Sequence, residues 1–140
     1  MLNLDPSSEF GGRVLRRLQD DTIAWLVTVD AKQTPRAVPI WFYWDGASFL
    51  VYSQPNQLKL RNIERNPRVG LHLSATETGG DIVVFTGDAR LDPEAPAAGD
   101  HAEYVAKYRA DITRLGMTPE QFGAAYSVPF RIAPDHVSGH

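Results

Sequence analysis

The pattern of apolar and polar positions divides the chain into segments of two different periods. Phe10, Val14, Leu15 and Leu18 fall at helical spacing behind the Ser7-Ser8-Glu9 start signal, with Arg13, Arg16 and Arg17 on the other side. This spacing predicts an amphipathic helix over about 8–19. Three β-rich runs follow: Thr22 to Val29, Arg36 to Trp44 and Phe49 to Ser53. The turn segment Asp30-Ala31-Lys32-Gln33 separates the first two, and Asp45-Gly46, a hairpin dipeptide, separates the next two. Connections this short predict that the three strands are antiparallel neighbours. Pro55 suits a first helical turn, so a helix is expected from there to about Arg65, where Asn66-Pro67 stops it. Val69 to Leu73 and Asp81 to Leu91 read as two more strands. Beyond the Pro- and Ala-rich crossing Asp92 to Gly99, His101, Val105, Tyr108, Ile112 and Leu115 form one helical stripe, with Gly116 placed to end it. Thr118-Pro119-Glu120-Gln121 is a capping-box pattern, and Val128 to Ile132 predicts a last strand before a short polar tail.

Strands outnumber helices without alternating with them. The expected class is therefore mainly β with helices, an antiparallel barrel or sandwich with helices at its ends. The 140 residues form a single domain, 1–140, with no repeat or linker.

Composition narrows the chemistry. There is no Cys, which excludes disulfides, iron–sulfur ligation and a thiol nucleophile. A formal net charge of -3 supplies no basic field for nucleic acid or for an acidic membrane. No apolar run approaches the roughly 18 residues of a membrane span. The beginning MLNLDPSSEF lacks the features of a signal peptide, so a cytoplasmic location is expected. The motifs GxSxG, GxxxxGK[ST], HExxH and GxGxxG do not occur. The four His (His72, His101, His136 and His140) have no metal-ligand spacing, so no metal site is expected.

Two segments stand out. From Tyr52 to Arg68 the local charge is +3, from Lys59, Arg61, Arg65 and Arg68 against Glu64 alone. Arg is abundant in this chain, but there are only three Lys: Lys32, Lys59 and Lys107. A strand ending in Tyr52-Ser53 and turning into a helix would aim backbone N–H groups and a hydroxyl at one point, within reach of Lys59, as an anion site requires. A solvated basic face is the plainer alternative. The second segment, Val38-Pro39-Ile40-Trp41-Phe42-Tyr43-Trp44, is too apolar to leave one face in water. Pro39 marks an edge, a bulge or a place where something other than a strand pairs. The segment could hold a flat aromatic ligand, or it could be aromatic core plus a subunit interface.

In order, the pieces are the Arg-led strand Arg36 to Trp41, the Asp45-Gly46 hairpin, Tyr52-Ser53, Lys59 with Leu60-Arg61-Asn62-Ile63, Asn66-Pro67 and Phe85-Thr86-Gly87. Together they resemble the pyridoxamine 5′-phosphate oxidase-like, flavin-binding split-barrel superfamily, over about Thr22 to Leu91. Trp41 stands where the oxidases proper carry a basic residue, and the chain lacks their C-terminal substrate-phosphate signature. The resemblance is closer to the actinobacterial branch that uses the deazaflavin coenzyme F420. It implies an antiparallel split β-barrel with flanking helices, working as a homodimer with the cofactor site at the interface. It also implies an oxidoreductase that transfers a hydride from reduced F420 to a small organic substrate. Arg36, Ser53 and Lys59 would bind the cofactor phosphate, supported by Tyr52 and Asn62. Val38, Pro39, Ile40 and Trp41 would carry the ring, and Arg61, Arg65 and Arg68 the acidic tail of F420. Tyr126 and Tyr43 are candidate proton donors. FMN is the alternative cofactor. A non-catalytic binder of haem or another planar tetrapyrrole, using His72 or His101, and a purely structural dimeric barrel are further alternatives.

Overall fold

The protein is described here from a computed structural model, over residues 2–140. Helix α1 (Glu9–Asp20) begins at Ser8, whose Oγ accepts from the Gly11 N–H at 2.9 Å. Strands β1 (Ala24–Val29), β2 (Pro35–Ile40), β3 (Tyr43–Trp44) and β4 (Phe49–Ser53) follow, then α2 (Leu58–Arg65), β5 (Arg68–Leu73) and β6 (Val83–Leu91). A single 3-10 turn (Ala98–Asp100) leads to α3 (Ala102–Arg114), α4 (Pro119–Ala125) and β7 (Val128–Gly139).

All seven strands belong to one sheet, in the order β2-β1-β5-β6-β7-β4-β3, with every neighbouring pair antiparallel. Its two edge strands, β2 and β3, are consecutive in the chain and separated only by Trp41 and Phe42. So short a link spans at most ~11 Å. The sheet must therefore curl until its edges nearly meet, giving an antiparallel split barrel with flanking helices.

The structure corrects several expectations. The run Arg36 to Trp44 is not one strand but two, β2 and β3. Its halves lie at opposite edges of the sheet, so β4 pairs with β3 and β7 and is not the next neighbour of β2. The reason is visible at Phe42. Its N–H donates to the Tyr108 hydroxyl at 2.8 Å, and its carbonyl accepts from Lys107 Nζ at 3.0 Å. Side chains of α3 take the place of a ladder partner there. Helix α2 starts at Leu58, not Pro55, because Asn56 adopts a left-handed φ of 63° and Gln57 is the cap residue. His101 caps α3 instead of lying on its stripe, its Nδ1 accepting from the Tyr104 N–H at 3.1 Å. The last strand continues to Gly139, so His136 belongs to β7, opposite Thr86, and not to a tail.

Two cores lie on either side of β4. Inside the barrel, Val14 and Leu18 of α1 pack with Leu26, Ile40, Phe42, Phe49, Val51, Leu71, Phe85 and Phe130. Outside it, Leu50 and Tyr52 pack with Tyr104, Tyr108, Ile112 and Phe122 of α3 and α4. Strand β4 is buried on both faces, which is why its sequence is a continuous apolar run without alternation. Among the described residues, no helix is long and apolar enough to cross a membrane.

Candidate functional site

A cleft of about 270 Å³ opens where the ends of β2 and β4 meet the start of α2 and the outer helices α3 and α4. Strand β2 contributes Pro39 and Ile40, with Trp41 following. Strand β4 contributes Tyr52 and Ser53, and the turn and first residues of α2 contribute Gln54, Gln57 and Lys59. Ile23, Tyr104, Leu115, Phe122 and Tyr126 complete the lining.

The cleft has two chemically different ends. At the polar end, the Gln57 side chain makes no capping bond to α2, which leaves first-turn N–H groups available. The Lys59 ammonium is half-buried there and has no carboxylate within ion-pair distance among the described residues. Burial lowers its pKa, the response of a charge taken from water without a partner. The Ser53 hydroxyl, fully buried, donates to the Gln54 carbonyl at 2.8 Å.

The other end is aromatic. Trp41 stacks on Tyr108 at 4.7 Å between centroids and on Phe122 at 5.3 Å. Phe122 stacks in turn on Tyr126 at 4.3 Å. The four rings form one column, held by the same Tyr108 that fastens Phe42 at the barrel seam. Tyr52 donates its hydroxyl to the Pro96 carbonyl at 2.7 Å. The Tyr104 hydroxyl is buried and has no hydrogen-bond partner.

The structure thus brings Pro39, Ile40, Trp41, Tyr52, Ser53 and Lys59 together, and Tyr126 with them. Arg36, Val38 and Asn62 do not line the cleft. Arg36 is exposed on the edge strand and pairs with Asp30 at 3.0 Å. Val38 packs against the barrel core. Asn62 is fully buried and donates to Thr28 Oγ1 at 3.0 Å, tying α2 to β1 behind the cleft. Tyr43 lies elsewhere, edge-on to His101 at 4.9 Å. Arg68 is engaged by Asp88 and Asp135, while Arg61 and Arg65 remain exposed without a carboxylate partner among the described residues. Sequence reasoning missed Tyr104, Leu115 and Phe122, of which only Leu115 had a reading, as buried stripe, and it missed Gln54, which read as turn, and Gln57, which fell inside the expected helix. Among the described residues, no three His, Asp or Glu side chains converge as a metal site would require.

Known proteins share this fold. The sequence over residues 12–140 matches the family described as pyridoxamine 5′-phosphate oxidase. No protein of curated function matches the chain. Among solved structures, one described as an F420 reductase superposes with a TM-score of 0.68 at 21% identity, over 88% of this chain and 94% of that one. A putative pyridoxamine 5′-phosphate oxidase from Listeria innocua gives 0.66 at 19% identity, over 91% and 94%. HutZ of Vibrio cholerae, described as a haem storage protein, gives 0.65 at 19% identity, over 99% and 95%. At such identities the superpositions carry the fold, and the family match carries the membership: the chain belongs to the pyridoxamine 5′-phosphate oxidase family.

Proposed function

We propose that the cleft binds coenzyme F420 and that the protein is an F420-dependent reductase of a small organic molecule. The observation that carries this reading is Lys59, a half-buried ammonium without a carboxylate, set at the open start of α2 and continuous with the Trp41 column. A phosphate at Lys59 would supply the missing counter-charge. Ser53 would add a hydroxyl once it turned from the Gln54 carbonyl. A flat ring would lie against Pro39, Ile40 and Trp41, while Val38 and Asn62 hold β2 and α2 in place from behind. When bound, F420 supplies a hydride from its reduced ring, and the chain's own residues supply position and electrostatics. Exposed Arg61 and Arg65 suit the acidic tail of F420, a partner FMN lacks; the similarity to an F420 reductase supports the same choice.

FMN fits the same polar end and is the second reading. For haem the cleft is less suited. His72 stacks on Trp25 at 6.5 Å on the outer face of the sheet, and His101 caps α3. Neither lines the cleft.

The reading includes a homodimer. By register, the outer face of the sheet carries Pro39 beside Trp25 and Ala37 beside Val27, continuing to His72, Gly70 and Val84. The β2–β1 part of this face is apolar, and the edge strand β2 is unpaired on one side, a combination that a second copy of the chain would cover. Pro39 belongs both to this face and to the cleft, so the partner would help to wall the site.

The test is titration with F420 and with FMN, followed by fluorescence quenching. F420 is expected to bind in the micromolar range, and Lys59→Ala to weaken it by about 1.5–3 kcal/mol, roughly 10- to 150-fold. Binding of neither ligand would overturn the reading, and binding of FMN alone would reverse the order of the two cofactors.

A further inference from the structure

Two walls of the cleft are sheet edges, and the strand register fixes which way their backbone groups point. In an antiparallel pair, residues whose N–H and C=O face the neighbouring strand alternate with residues whose groups face away. At the β1–β2 turn the Asp30 N–H donates to the Thr34 carbonyl at 3.0 Å, so Thr34 faces β1. Along the register, Arg36, Val38 and Ile40 then also face β1, while Pro35, Ala37 and Pro39 face away from it. Both prolines fall in the outward set, where a missing N–H costs no ladder bond. At Pro39 the free edge of β2 therefore offers a carbonyl and no donor.

Across the cleft, β4 pairs with β7 along its whole length but with β3 only as far as Leu50. The Pro129 carbonyl accepts from the Asp92 N–H at 3.0 Å, on the β6 side of β7. Its opposite number Tyr52 therefore turns its own N–H and C=O away from β7. The β3–β4 hairpin gives the same direction. There the Asp45 N–H donates to the Ser48 carbonyl at 3.1 Å, so Ser48, Leu50 and Tyr52 all face the β3 side. No strand lies beside Tyr52 on that side, because β3 starts at Tyr43 and Phe42 bonds to α3 instead. Tyr52 is only 6% exposed, and main-chain groups so placed call for a partner. Pro39 and Tyr52 both line the cleft.

We propose that this gap between β2 and β4 reads its ligand through the main chain: the Tyr52 carbonyl accepts from a ring N–H, and the Tyr52 N–H donates to an adjoining ring carbonyl. The Pro39 carbonyl bounds the other side of the gap as a further acceptor. The ligand class is a flat heterocycle with a lactam or imide edge, an N–H beside a C=O, lying where the next strand would lie. Two carbonyls face this stretch, so it repels a phosphate, which belongs with Lys59 at the start of α2. A ring without an N–H leaves both carbonyls unpaired, as a metallated tetrapyrrole would. The proposal rests on the cleft being a ligand site, but not on which cofactor it takes, because the flavin and deazaflavin rings share this edge.

The test uses lumazine, a two-ring heterocycle with an imide edge and no phosphate, and its N,N′-dimethyl derivative, whose ring N–H groups are both blocked. Binding to the isotope-labelled wild-type protein is followed by NMR, with amide hydrogen exchange read at Tyr52. Lumazine is expected to bind in the millimolar range or tighter, and the dimethyl derivative about 5-fold or more weakly. In the free protein the Tyr52 amide should exchange faster than that of Val51, which is held in the β4–β7 ladder, and lumazine should slow it. Equal affinity for the two probes, no lumazine binding at millimolar concentration, or a Tyr52 amide that lumazine leaves unchanged would each overturn the proposal. Parallel titrations with F420 and FMN separate the two readings. If neither cofactor binds while the lumazine difference persists, only the cofactor assignment falls. If F420 binds and the lumazine difference is absent, only the main-chain recognition falls.

Discussion

Lys107 shows how one side chain serves the fold at a measurable electrostatic cost. Its ammonium sits 3.8 Å over the Phe42 ring and donates to the Phe42 carbonyl. The Tyr108 hydroxyl has one proton for two carbonyls, so Lys107 is what keeps Phe42 O satisfied when that proton goes to Thr22 O. Burial lowers the Lys107 pKa to about 8, against the opposing pull of Asp21 and Asp20. Folding therefore disfavours the charged form. Between pH 8 and the unfolded value near 10.4, the unfolded chain holds more protons, so this residue makes stability rise with pH. Buried Tyr104 and Tyr108 have raised pKa values and act in the opposite sense, but only above about pH 10. The urea midpoint should rise from pH 8 to about 9.5, and Lys107→Met should flatten that rise. A wild-type profile without any rise would mean that the ammonium is solvated.

At the scale of elements, the barrel seam is the distinctive feature, and it positions the cleft. Tyr108 of α3 fastens Phe42 between β2 and β3 and stacks on Trp41 in the next position. Tyr108→Phe would keep the ring but leave the Phe42 N–H buried without an acceptor. The expected loss is about 1–3 kcal/mol in urea unfolding, together with a shift in the emission of Trp41. A stability equal to the wild type would show that the ladder can close without α3. The β6–β7 pairing has its own constraint. Its register shifts at Thr86/Gly87, where a Cβ on Gly87 would collide with the Ala133 carbonyl. Gly87→Ala should lower the thermal midpoint, at a cost of about 1–3 kcal/mol. Local chemistry made much of this level legible. The Asp45 carboxylate accepts from the Ala47 and Ser48 N–H groups in the expected hairpin, and Thr118 with Gln121 closes the expected capping box. The break at Trp41-Phe42 was not legible. Both residues suit a strand, and the groups that interrupt it come from α3, 65 and 66 positions away.

At the scale of the whole molecule, the proposed second copy has its own consequences. The outer face around Trp25 and the unpaired edge of β2 predict that the 15.5 kDa chain sediments as a dimer. Trp25→Arg should shift it toward monomer and weaken F420 binding, although Trp25 does not line the cleft. A wild-type monomer at tens of micromolar would remove the dimer from the reading. A dimer unchanged by Trp25→Arg would place the interface elsewhere.

By itself, the sequence determined what depends on neighbours along the chain. Periodicity, caps, turn residues and the placing of Lys59 just after Tyr52-Ser53 all act within a few residues. They suffice for nearly every element and for the polar end of the cleft, because strand end, turn and helix start are contiguous from Tyr52 to Lys59. The tertiary structure alone decided which distant residues meet. Curling of the sheet carried β2 and β4 to a common end, and packing of α3 and α4 outside β4 brought Tyr104, Phe122 and Tyr126 against Trp41. The same packing left one buried hydroxyl without a partner. Burial and hydrogen-bond satisfaction are properties of the assembled contacts, and no local pattern encodes them.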